Sequence, residues 1–190
     1  MDDHELVLKA QQGDVNAYGE LYERHAPGIF RFLYAHVEHR QDAEDITEEV
    51  FFRAWRSLPR YRERGVPFQF YLLRIARNAL IDHYRRAKLP DRSGVRSVDE
   101  MENELADPVV GGQGLSDAHQ DVVSHLGSLT EAHRTVLVLR YFNQLSPEEI
   151  AVVMGRSAGA IRVLQHRALS ALRARLLSQI ERGSDESKEP

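Results

Sequence analysis

Along most of this chain apolar residues return every three or four positions, with charged residues filling the faces between them. That period gives an amphipathic helix one buried stripe. No run of four or more alternating β-branched residues bounded by turn signals appears, so the pattern predicts an all-α protein. Helices are expected at about 3–12, 14–38, 41–58, 66–88, 116–126, 130–142, 146–154 and 158–181. Several ends carry the chemistry that starts or stops a helix. Asp14 follows Gly13, Thr130 precedes Glu131, Ser146 is followed by Pro147 with Glu148 and Glu149 in the first turn, and Gly155 sits just past Met154.

The periodicity lapses from Pro90 to Gly114, where Pro90, Gly94, Pro108, Gly111, Gly112 and Gly114 replace large apolar residues. The chain is therefore expected to be two small helical domains, 1–88 and 115–182, joined by a flexible linker at 89–114 and ending in a polar tail at 183–190. Charge sharpens that division. The net charge is only −4, but residues 1–52 hold 4 Lys+Arg against 12 Asp+Glu, and residues 53–88 hold 10 against 2. Residues 89–114 hold 2 against 6, and the stretch from Arg156 to Arg182 holds 6 against Glu181 alone. Two basic blocks flank an acidic linker, which is expected to lie near them and partly mask them. The absence of cysteine excludes disulfide scaffolds, thiolate zinc sites and cysteine nucleophiles. The N-terminus lacks a basic, then apolar, leader, and no window approaches 18 apolar residues, so a cytoplasmic chain without membrane insertion is expected.

Three helices carry candidate chemistry. Ser146–Met154 and Ser157–Arg175, joined by Gly155 and Arg156, have the spacing of a helix-turn-helix, whose second helix enters the DNA major groove. On that second helix Ile161, Ala168 and Leu172 form the buried stripe, while Arg162, Val163, His166 and Arg167 face away. Those side chains offer donors for guanine and an apolar group for the thymine methyl. Arg156 and Ser157 sit at the helix start, where backbone donors suit a phosphate.

The helix from Val66 to Lys88 sets Phe68, Leu72, Ile75, Ala76 and Ala79 on one face. Phe70, Tyr71, Arg74, Arg77, Asn78, Asp82 and Arg85 lie toward the other, where interleaved rings and guanidiniums suit unstacked bases and phosphates. The helix from Gln41 to Leu58 buries Ile46, Val50, Ala54 and Leu58, and turns Glu48, Phe52 and Trp55 outward beside Asp45 and Glu49. An acidic face with large aromatics suits a protein partner, since phosphate would be repelled.

The segments Asp42–Phe51, Phe68–Arg86 and Leu129–Arg173, in that order, resemble the bacterial sigma factors of the extracytoplasmic function (ECF) group. The resemblance implies an initiation factor with no cofactor, whose first domain docks on core RNA polymerase and melts the minus-ten promoter element. Its second domain would read the minus-thirty-five element. It also implies that Asn78 and Asp82 sit where the family reads an extruded base, and it admits an anti-sigma protein as a further partner. Tyr71 stands where the family often has Trp, and Val163-Leu164 where it commonly has Ser-Arg. Two other readings compete. An enzyme could ligate a metal through His36 and His39 with Glu38, although no HExxH, phosphate-cradling glycine loop or nucleophile elbow accompanies them. An ordinary helix-turn-helix regulator would account for residues 116–181 but leave the two N-terminal faces without a task.

Overall fold

The computed structural model describes residues 1–62, 66–88 and 125–186, with side chains through Arg86 and Ser178 in the last helix of each stretch. Among the described residues the chain is all-α, with no strand, and it divides into two compact units. The linker expected at 89–114, and most of the helix expected at 116–126, lie outside the described residues.

The first unit holds four helices: α1 (Asp3–Gln11), α2 (Val15–Tyr34), α3 (Arg40–Ser57) and α4 (Phe68–Lys88), with a 3-10 turn at Leu58–Arg60. Local chemistry fixes their ends. Asp2 and Glu5 form a capping box at the start of α1. At its end Gly13, at φ +93°, donates to the Ala10 carbonyl, and Asp14 donates to that of Lys9. These two bonds close the helix with a left-handed residue that only glycine adopts cheaply. The Asp14 carboxylate then accepts from Asn16 and Ala17 and starts α2. The helix expected to reach residue 38 stops at Tyr34, and Ala35, His36 and Val37 continue as buried irregular chain.

Each helix turns its apolar stripe inward, and α4 packs on α1, α2 and α3. Leu6, Leu21, Phe32, Leu33, Val50, Phe68, Leu72, Leu73 and Leu80 are essentially withdrawn from water. Burial of each such side chain contributes about 1.5–3 kcal/mol. The core stripe expected for α3 is observed, with Ile46, Val50, Ala54 and Leu58 all buried.

The second unit is built chiefly from α5 (Glu131–Leu137) and α7 (Ala158–Glu186), with α6 (Pro147–Met154) between them in the chain, and α5 runs on into a π-helical turn at Val138–Phe142. Ser146 and Glu149 form a reciprocal capping box before α6. Gly155 turns the chain at φ +68°, and Ser157 caps α7 by accepting from Ala160. A guanidinium holds the entry to α5: Arg134, only 3% exposed, donates to the carbonyls of Leu126 and Gly127 at 3.1 and 2.6 Å. Nothing in the helical period singled out Arg134, because an arginine on a wheel reads as solvated.

Candidate functional site

On α3, Glu48 and Phe52 point into solvent, and Phe52 is 60% exposed with the Arg56 guanidinium 5.8 Å above its ring. Asp45 is also exposed and accepts from the Gln41 amide. Trp55 departs from the expected outward row. Its ring lies 4.7 Å from that of Tyr18 on α2 and is half-buried, because α2 crosses over this end of α3. Burial pushes the Tyr18 hydroxyl well above its ordinary pKa, and that hydroxyl donates to the Phe51 carbonyl at 2.5 Å.

Between α2 and α3 runs a groove of about 490 Å³, with Tyr22, Glu23 and Phe30 on one wall and Glu44, Asp45 and Glu48 on the other. Arg40 lies 5.5 Å above the Phe30 ring and pairs with Glu44. Four carboxylates and two rings thus converge where the α3 pattern alone showed a single convex face. The α2 wall was not foreseen, since which residues of α2 line a groove depends on how α2 crosses α3.

Glu49 belongs to a different arrangement. Arg53 donates to it at 2.7 and 3.1 Å, and to Asp82 on α4 at 3.0 Å, while Arg86 approaches Glu49 at 3.8 Å. Partial burial opposes the Arg53 charge, yet the two carboxylates hold its pKa above the ordinary value. The acid expected on the docking face and the acid expected on the nucleic-acid face are therefore joined through one guanidinium.

The basic face of α4 is narrower than the spacing predicts. Arg74, Asn78 and Arg85 are exposed, and Asp82 is partly so. Phe70 and Arg77 are not on the surface: they are 5% and 8% exposed, because α4 is covered by helices on more than one side. Tyr71 is half-buried, its hydroxyl 2.5 Å from Ser57 Oγ and its ring against Tyr61 and Phe68. His36 lies inside the unit with Nδ1 2.7 Å from the Phe32 carbonyl, whereas His39 stands at the surface before α3. The two are not brought together as ligands. Among the described residues no group of three or more His, Asp or Glu is placed to hold a metal.

In the second unit the expected outer face of α7 is exposed throughout: Arg156, Ser157, Arg162, Val163, His166 and Arg167 all face solvent, Val163 by 51%. Arg162 is paired with Glu148 of α6, and both side chains remain largely exposed, a setting in which such a pair contributes roughly 0–1 kcal/mol. Burial lowers the pKa of His133 on α5, and the Arg167 charge lowers it further. Ile161 and Ala168 are fully buried and Leu172 half-buried, as the stripe requires.

Residues 21–89 match the family described as Sigma-70 region 2, and residues 125–174 match Sigma-70, region 4. The chain is 36% identical over 176 residues to the ECF RNA polymerase sigma factor BldN of Streptomyces coelicolor, covering 91% of this chain and 65% of that protein. It is 34% identical to ShbA of Streptomyces griseus, covering 89% of this chain and 92% of the relative. It is 33% identical to SigD of Mycobacterium tuberculosis, covering 91% and 83%. Among solved structures, CnrH in complex with the cytosolic domain of CnrY superimposes with a TM-score of 0.70 at 25% identity, covering 93% of this chain and 97% of that one.

Proposed function

Because this chain belongs to the ECF group of RNA polymerase sigma factors, we propose that its first unit docks on core RNA polymerase and opens the minus-ten element while its second reads the minus-thirty-five element. The observation that carries this reading is the order of the two family matches, one falling on each helical unit. The groove between α2 and α3 supports docking. Its carboxylates suit a basic partner surface, and Tyr22, Phe30 and the exposed Phe52 supply apolar anchors of the kind that dominate interface energetics.

Promoter opening falls to Arg74, Asn78 and Arg85, with Tyr71 and Asp82 at their margin. The guanidiniums hold phosphates, and the Asn78 amide is suited to the edge of an unstacked base. Phe70 and Arg77 serve this surface from inside by packing α4. Upstream recognition falls to Arg162, Val163, His166 and Arg167, while Arg156 and the capped start of α7 at Ser157 hold phosphate. The chain works as a binding subunit rather than an enzyme, in the cytoplasm where polymerase and promoter meet. No helix among the described residues is long and apolar enough to cross a membrane. An anti-sigma protein that competes for the docking surface is the further partner this reading admits.

The test is assembly followed by selection. Labelled full-length chain titrated with core polymerase should form a holoenzyme, and that holoenzyme should retain promoters sharing two separated elements from a randomised library. A chain that binds DNA as a helix-turn-helix regulator but leaves core polymerase unbound would overturn the reading.

A further inference from the structure

The helix α1 lies outside the residues matched to Sigma-70 region 2, which begin at residue 21. Its last residue, Gln11, nevertheless reaches residues far away in sequence. The Gln11 Nε2 donates to the carbonyls of both Leu58 and Tyr61, each at 2.9 Å. An amide nitrogen carries two hydrogens, so each carbonyl takes one. These carbonyls belong to the connection between α3 and α4, where the helical ladder has ended and the backbone needs other donors. Leu58 also accepts from the Tyr61 amide, and Tyr61 also accepts from Arg62 Nη1, both at 3.0 Å. The opposite end of α1 is anchored on α2, because Asp3 accepts from Arg24 at 2.6 Å and meets His25 Nε2 at 2.8 Å. A helix held at both ends thus fixes where the connection sits.

What the connection positions is an aromatic cluster. The Tyr61 ring lies 4.6 Å from that of Tyr71 and 5.6 Å from that of Phe68, and its hydroxyl donates to the Val66 carbonyl at 3.2 Å. Tyr71 is held from a second side by Ser57. The Ser57 hydroxyl hydrogen is directed at the Arg53 carbonyl at 2.6 Å, so the Tyr71 hydroxyl is the donor to Ser57 Oγ. One side of Tyr71 is therefore pinned through the end of α3, and the other through Tyr61, which Gln11 holds by its own carbonyl.

We infer that Gln11 is a positioning residue for promoter opening: by holding the Leu58 and Tyr61 carbonyls it sets the Tyr61 ring against Tyr71. This rests on the reading of Tyr71 as facing promoter DNA, and it assigns α1 a part in strand opening rather than in docking. Because the contact acts through another side chain, its loss should slow opening without weakening polymerase binding.

The experiment uses full-length chain assembled with core polymerase on a promoter selected by the wild-type holoenzyme, with 2-aminopurine in the non-template strand of the minus-ten element. Gln11→Glu keeps the shape but faces carbonyl oxygens with a carboxylate. Gln11→Met removes the donors without adding charge, and carries the test should the first variant fold poorly. Either should open roughly ten- to a hundredfold more slowly, the size of effect a displaced contact of about 1 Å produces. Affinity for core polymerase should be unchanged. Gln11→Lys, which restores donors, should recover much of the rate, and a template already melted across the minus-ten element should shrink the defect. A general loss of folded protein would do neither. Normal opening by Gln11→Glu and Gln11→Met while Tyr71→Ala is slow overturns the positioning role alone. Normal opening by Tyr71→Ala as well removes Tyr71 from the promoter surface, and the inference with it.

Discussion

The two helices expected to touch DNA sit in very different surroundings. The candidates on α7 stand in solvent, where Arg162 pairs with Glu148 between two largely exposed side chains. On α4, Phe70 and Arg77 are inside, Tyr71 is held by Ser57 and Tyr61, and Asp82 is held by Arg53. The difference follows from packing. α4 lies against α1, α2 and α3, whereas the principal contact of α7 is with α5. A helix with one covered side keeps its outer residues adaptable, as base reading in a duplex groove requires. A helix with several covered sides holds its few exposed groups rigidly, which suits capture of a strand that must be kept apart from its partner.

The largest effect should come from the surface that neither helix supplies. Replacing Glu48 with Lys and Phe52 with Ala together should weaken binding to core polymerase about a hundredfold or more, the loss typical of paired interface anchors. Circular dichroism should show helical content unchanged. Normal binding would place docking elsewhere.

The contrast between α4 and α7 is broken most directly by exchanging stability and specificity readouts. Phe70→Ala should destabilise the first unit by about 3–5 kcal/mol, as expected for truncating a core aromatic. Its unfolding can be followed through Trp55, the single tryptophan of the chain. Val163→Ser should leave stability within about 0.5 kcal/mol, as exposed substitutions do. It should instead shift base preference at one position of a randomised upstream element away from thymine. If Phe70→Ala unfolds normally, or Val163→Ser leaves the preference profile intact, the division between a packed and an open helix fails.

Acid should separate the units next. Burial pushes the pKa of His25 below its ordinary 6.5, against the opposing pull of Asp3, and burial also lowers His133, with Arg167 adding to it. In both cases the folded state binds protons less readily than the unfolded chain. Stability that is present above pH 6.5 is therefore lost as pH falls below it. The His25 side chain is only 10% exposed, so the urea midpoint read by Trp55 should fall more steeply between about pH 7 and about pH 5.5 than that of the second unit. His25→Gln should flatten that slope, and a slope that persists would assign it to other groups.

The smallest effect concerns the turn before α6. Gln144 adopts φ 59°, a left-handed backbone that costs a residue with a Cβ roughly 1 kcal/mol. Glycine would relieve it while losing roughly half as much through its freer unfolded chain. Gln144→Gly should stabilise the second unit by about 0.5 kcal/mol in urea unfolding, and destabilisation would mean that the glutamine side chain is itself held.

Much of this molecule was legible from local chemistry. The α1–α2 junction at Gly13 and Asp14, the capped starts at Thr130 and Ser146, and the turn at Gly155 are contests between a residue and its neighbours within one helical turn, and they resolve as read. The outer face of α7 was legible for the same reason, since a stripe covered on one side obeys a helical wheel. What only the tertiary structure decided involves residues far apart in sequence. Trp55 meets Tyr18, Asp82 meets Arg53, Gln11 spans to Leu58 and Tyr61, and the α2 wall of the groove faces α3. A helical period states which residues share a side. It does not state how many neighbours will cover that helix, because coverage depends on where other helices cross, and for α4 it was coverage that divided surface from core.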